Sequence, residues 1–186
     1  PRKQNRRAFS LVELLVVMFI LALLLGILMP TLPRIMDNAR RTVCSSNLRN
    51  MAQAMELYRD AHEERFPRAR YMPPPWLSGD EDPPLNVALS DFLDPVNEVY
   101  HCPGDHSVFE KEYIDDDGET RNCGMSYTYI VSLSGAVYEE TFFARFLRHT
   151  PADTPMAHDF DGGTFETQDG ELVSVDFFHT TRNVVF

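Results

Sequence analysis

The sequence predicts an α+β protein: one long amino-terminal helix, apolar in its membrane half and amphipathic beyond it, packed on a small antiparallel-sheet head. Three observations carry this. Residues 9–32 are an almost unbroken apolar run, a helical-period stripe follows them, and the remainder alternates short β-branched or aromatic stretches with glycine turns.

Charge separates the two ends. The 186 residues carry 17 Lys and Arg against 28 Asp and Glu, a formal net charge of -11. Residues 1–8 hold 4 basic and 0 acidic residues, whereas residues 61–186 hold 8 basic and 24 acidic. An acidic surface repels a phosphate backbone, which argues against nucleic acid as a partner. No internal repeat or low-complexity tract is visible, which argues against solenoids and disordered tails. The organisation read from these features is a basic leader over 1–8, an apolar segment over 9–32, an amphipathic helix over 33–65 and an acidic α+β head over 66–186.

Between Phe9 and Leu32 the only ionisable residue is Glu13. As a helix the segment would run roughly 36 Å, enough to cross a hydrocarbon core of about 30 Å. A cleaved secretory signal would have a shorter apolar stretch and a small-residue site after it, and neither is present. Arg2, Lys3, Arg6 and Arg7 precede the span without an acid among them, so the positive-inside rule leaves the leader in the cytoplasm and the head outside it, on a single-pass membrane protein.

A carboxylate inside such a span costs about 2.5–3.5 kcal/mol on insertion scales unless it is paired, so Glu13 is a functional candidate. The stretch Arg6-Arg7-Ala8-Phe9-Ser10-Leu11-Val12-Glu13-Leu14-Leu15 resembles the signal of type IV prepilins and type II secretion pseudopilins. That resemblance implies cleavage by a prepilin peptidase between Ala8 and Phe9, N-methylation of the new Phe9 amine, and a role for Glu13 in filament assembly with other pilin-like subunits on an inner-membrane platform. Ala8 departs from the Gly usual in the family. Pro30 also fits, since pilins commonly bend there; Pro30 and Pro33 both lack a backbone donor, which predicts a hinge.

The amphipathic stripe is Leu32, Met36, Ala39, Val43, Leu48, Met51, Met55 and Tyr58. From Cys44 onward the chain resembles a narrower group of bacterial pseudopilin-like proteins. The matching residues are Cys44, Asn47, Leu48, Tyr58, Phe66 and Pro67, then Cys102-Pro103-Gly104-Asp105, Ser126-Tyr127, His179 and Asn183-Val184-Val185-Phe186. The group runs on into an Asp-Gly turn; its absence, and that of an initiating Met, lead to the expectation that both ends are incomplete.

In the head, the prolines of 67–85 predict an extended loop, and Asn86 to Leu93 a short helical turn. Strands are expected near 108–114, 125–133, 155–160, 171–178 and 182–186, with turns at Asp117-Gly118, Gly162-Gly163 and Asp169-Gly170, and a helix over 139–148. Three cysteines suggest one bridge and one thiol. The group resemblance implies Cys44 with Cys102; Cys102 with Cys123 is the local alternative. A zinc set of His101, Cys102, His106 and Cys123 lacks paired spacing. Calcium could be held by Asp115, Asp117 and Glu119, or by Asp159, Asp161 and Asp169, although neither set has EF-hand spacing and solvated acidic loops account for both. No nucleophile elbow, phosphate loop or H-E-x-x-H occurs, and His158 with Asp159 or His179 with Asp176 would be the only acid-base pairs to consider, so no enzyme is expected. Two functions remain: a structural filament subunit, or a monomeric membrane-tethered envelope protein whose acidic head binds calcium or a protein partner.

Overall fold

A computed structural model describes residues 10–77, 81–96, 98–114, 117–147, 154–179 and 183–185. The chain is α+β, with a long apolar amino-terminal helix, a second long helix and small antiparallel sheets, consistent with a pilin-like fold. It divides into two compact units, Pro1–Asn38 and Ala39–Phe186.

In the first unit, α1 spans Leu11–Leu28 and none of its residues is buried. Its 18 residues have a mean hydropathy of 3.0. That length is roughly 27 Å of helix, close to the thickness of a bilayer core. Apolar side chains on every face leave this helix no core of its own, so its surface is satisfied by lipid or by neighbouring helices.

The second long helix, α2, spans Leu32–Ala61 and crosses from one unit into the other. Its buried residues are Cys44, Asn47, Leu48, Met51, Ala52, Ala54, Met55 and Arg59. This shifts the sequence-derived stripe: Leu48, Met51 and Met55 are core, but Val43 is exposed and Cys44 takes the buried position beside it. One residue of helix turns a side chain by about 100°, and the link to the head made by Cys44 decides which neighbour faces inward. The helix stops at Ala61, because Glu63 and Glu64 adopt left-handed backbone with φ of 55° and 61°. Glu64 N–H donates to Arg59 O at 3.0 Å, closing the end of the helix. Arg59 binds Glu56 at 2.9 Å and Glu64 at 3.2 Å, and its guanidinium lies 4.8 Å from the Phe66 ring centroid. Phe66 thereby enters the core.

The proline-rich loop then crosses the head, and Trp76 is fully buried against Phe160 and Phe165 at 5.0 and 6.0 Å between ring centroids. A short helix, α3, covers Leu85–Ala88. The strands are β1 Glu112–Ile114, β2 Thr120–Asn122, β3 Tyr127–Tyr129, β4 Ala157–Asp159, β5 Gly163–Glu166, β6 Leu172–Val175 and β7 Val184–Val185. They form two hairpins, β1-β2 and β5-β6, and a three-stranded antiparallel sheet in the order β3-β4-β7.

Several expectations are corrected here. Of 108–114 only Glu112–Ile114 is strand, because Asp105 draws the amides of Ser107, Val108 and Phe109 into a turn. The strand at 125–133 ends early in a 3-10 turn over Val131–Leu133. Strands β2 and β5 were not anticipated; β2 is polar and exposed throughout, and β5 begins on a glycine, so neither shows the apolar alternation that marks a strand. The helix expected at 139–148 is instead a 3-10 turn, Tyr138–Glu140, followed by a π-turn, Phe143–Leu147. Thr141 separates them in extended backbone, its hydroxyl donating to Tyr138 O at 2.7 Å and accepting from Ala144 N–H at 3.3 Å. Local hydroxyl bonds of this kind compete with helix propagation.

Candidate functional site

Two places concentrate the chemistry, one in each unit. At the start of α1, Ser10 caps the helix by accepting from Val12 N–H at 3.3 Å, and Glu13 Oε2 accepts from Ser10 N–H at 2.8 Å. This reciprocal capping box satisfies amides that the first turn would leave open, and it puts a negative carboxylate at the positive end of the helix dipole. The sequence reading missed this local role for Glu13, although Ser-x-x-Glu ahead of an apolar run is its known signature. Ala8 and Phe9 lie outside the described residues.

At the far end of α1 the helix breaks over Met29 to Thr31 before α2 begins. Pro30 stands in the break, and Leu28 O accepts both Thr31 N–H at 3.2 Å and the Thr31 hydroxyl at 2.9 Å. Pro33 occupies the first turn of α2, where its missing donor costs no hydrogen bond.

In the head, Cys44 and Cys102 form a disulfide that closes 58 residues of sequence. Both sulfurs are fully buried, and Cys123 is the free thiol, also buried. His179, 3% exposed, brings its Nε2 to 3.1 Å from Cys44 Sγ and 3.1 Å from Cys102 Sγ. Packing holds the ring there. A Cβ on Gly104 would lie 2.6 Å from Phe178 O and 2.8 Å from His179 Cε1, so this position has to be glycine for the two segments to approach.

The Cys-Pro-Gly-Asp element owes its shape to Asp105. Its carboxylate accepts Ser107 N–H at 2.9 Å, Val108 N–H at 2.7 Å, Phe109 N–H at 2.8 Å and the Ser126 hydroxyl at 2.6 Å. Ser126 Oγ in turn accepts Cys102 N–H at 3.1 Å. Asn47, one turn beyond Cys44, donates to His101 O at 2.8 Å, and so ties α2 to the same loop beside the bridge. At the other end, Asn183 N–H donates to Asp159 Oδ2 at 2.8 Å and Arg41 Nε donates to Asn183 Oδ1 at 3.2 Å. The scattered matches Cys44, Asn47, Cys102, Asp105, Ser126 and His179 thus belong to one contiguous buried network, while Asn183 is held by Asp159 and Arg41, and most of this only the fold reveals.

Among the described residues, the other candidates do not converge as a group of three ligand atoms. Cys123 receives the Trp76 indole N–H at 3.3 Å, Cys102 is bonded to Cys44, and His101 stacks on Phe109 at 4.3 Å between centroids, so the zinc set is dispersed. Burial pushes the Cys123 thiol up to about 12 from its ordinary 9.0. Asp115 lies outside the described residues. Asp117 and Glu119 sit in the β1-β2 connection, where Glu119 meets Arg121 at 3.5 Å. Asp159 and Asp161 are buried and accept backbone amides, while Asp169 accepts the Thr167 hydroxyl in the β5-β6 turn. His158 Nδ1 contacts the backbone oxygen of Asp159 at 2.8 Å, and His179 Nε2 turns to the sulfurs.

Residues 3–29 match the family model of the prokaryotic N-terminal methylation motif. The chain carries a prepilin-type signal. No curated protein and no solved structure matches the chain. The signal, with a membrane-length helix behind it, supports a type IV pilin-like precursor and points to a structural protein rather than an enzyme. It implies processing by a prepilin peptidase and assembly with other pilin subunits, and is consistent with a single-pass inner-membrane anchor.

Proposed function

We propose that the mature chain begins at Phe9 and serves as a pseudopilin or pilin-like subunit of a type II secretion or type IV pilus-like filament. On this reading residues 1–8 are a cytoplasmic leader, 9–32 the span extracted from the inner membrane during assembly, 33–65 the amphipathic connection and 66–186 the acidic head outside the cytoplasm. The observation that carries it is the methylation motif over residues 3–29, in which Glu13 is the one ionisable group of the apolar run. Cleavage before Phe9 frees an amine that a neighbouring Glu13 can pair with in a low-dielectric setting, where such a pair is stronger than in water. Filament formation also gives the apolar surface of α1 a destination other than lipid.

The test is intact-mass analysis of the full chain purified from cells with and without a prepilin peptidase. Loss of the leader and addition of a methyl group only in peptidase-positive cells are expected. An uncut leader there would overturn the proposal and leave a monomeric tethered envelope protein as the reading to pursue.

A further inference from the structure

We propose that the reduced head holds a thiophilic divalent cation, Zn²⁺ or a metal like it, between Cys44, Cys102 and His179, and that this site and the Cys44–Cys102 disulfide are mutually exclusive states of the same three residues.

The geometry is that of a ligand triangle. The three ligand atoms lie within 4.8 Å of one another, and among the described residues this is the group of His, Cys, Asp or Glu side chains so placed. His179 Nε2 is equidistant from the sulfurs at 3.1 Å, so it stands over the middle of the bond and favours neither. A disulfide sulfur is a weak hydrogen-bond acceptor, and a buried imidazole gains little from it compared with a carbonyl or carboxylate. Thiolates and imidazole are, in contrast, the preferred ligands of zinc. Tetrahedral coordination with Zn–S of about 2.3 Å places two sulfurs about 3.8 Å apart. Once the bond is broken, side-chain rotation alone can part the sulfurs by that amount, with Nε2 already above them.

The loop around Cys102 already aims a donor at one ligand sulfur. Gly104 N–H points at Cys102 Sγ at 3.4 Å, and Ser126 Oγ fixes the Cys102 amide. The Gly104 amide would serve a metal-bound Cys102 sulfur as an outer-shell donor, and the Ser126 contact fixes the backbone that carries it. The three residues come from α2, the loop after Tyr100 and the segment after β6, so a bound metal would join the elements that the disulfide now joins.

The chemistry balances as follows. A dithiol reductant gives up two electrons and two protons and becomes a disulfide; the Cys44–Cys102 bond breaks and each sulfur takes one proton. Zn²⁺ then displaces both protons to solvent, leaving two thiolates and a neutral imidazole whose proton resides on Nδ1.

The experiment uses the full chain in detergent micelles, reduced with a tertiary phosphine, which water converts to phosphine oxide, and titrated with Co²⁺ as a coloured stand-in for Zn²⁺. Thiolate-to-cobalt charge-transfer absorption should saturate at one metal per chain in the reduced protein and be absent from the oxidised protein. His179→Ala should weaken binding by about tenfold or more, and Cys123→Ser should leave it unchanged. No charge-transfer band, equal affinity in His179→Ala, or loss of the band in Cys123→Ser would overturn the proposal. If reduction unfolds the head, Zn²⁺ must restore its near-ultraviolet circular dichroism in the wild type and need about tenfold more metal or fail to do so in His179→Ala; any other result also overturns it.

Discussion

The Ser126 hydroxyl donates to Asp105 at 2.6 Å while its oxygen accepts the Cys102 amide at 3.1 Å, so a strand-start serine bridges the carboxylate and the bridged cysteine. Asp105 is 5% exposed and has four donors aimed at it. Asp105→Ala leaves those donors buried without an acceptor and should cost about 3 kcal/mol or more in urea unfolding. Asp105→Asn should cost less, because one amide oxygen can still receive two of them. Equal midpoints for Asp105→Ala and wild type would contradict this account.

The bridge makes a different kind of prediction. Cys44→Ser and Cys102→Ser should each lower stability by about 2–4 kcal/mol, since both release the same closed loop. For that reason the double variant should be no worse than either single one, and additive losses would show that the two cysteines act separately.

Cys123 should be silent toward alkylation in the folded protein and react only after unfolding, because it is 4% exposed and bonded to Trp76. Its thiol is pushed up from 9.0 to about 12 by desolvation. The folded state therefore favours the protonated form; stability is fully present below pH 9.0 and is lost progressively as pH rises toward about 12. Burial also raises the hydroxyls of Tyr100, Tyr127 and Tyr129 above their ordinary 10.0. Cys123→Ala should thus flatten the fall in stability at the start of the alkaline window, between 9.0 and 10.0, and leave the tyrosine-driven loss beyond it. An unchanged slope there would show that the thiol does not titrate on unfolding.

Glu13→Ala removes the acceptor for Ser10 N–H at the exposed start of α1, a local loss of about 1 kcal/mol or less of helix stability. Under the filament proposal its larger effect falls on assembly. Filament yield should drop steeply while the head keeps its circular dichroism and thermal midpoint, and wild-type yield would count against Glu13 as an assembly residue.

The amino-terminal segment was legible because its information is local. Apolar character, length and the prolines at 30 and 33 act over a few residues, and α1, the start of α2 and the break between them follow from those features. The α+β class was legible for the same reason, from helical period followed by short strands and turns.

What only the tertiary structure decided is which side chains meet. Periodicity could not choose between Val43 and Cys44, adjacent on one helix, until the head closed on Cys44. Composition could not place His179 over a bridge whose members stand 135 and 77 residues away. Nor could it show that the carboxylate of Asp105 is spent on backbone amides, which removes 108 and 109 from the strand expected there. Hydrophobic pattern is written along the chain with a period of two or 3.6. The pairing of buried polar atoms depends instead on through-space distances of about 3 Å between residues far apart in sequence, and those exist only once the chain is folded.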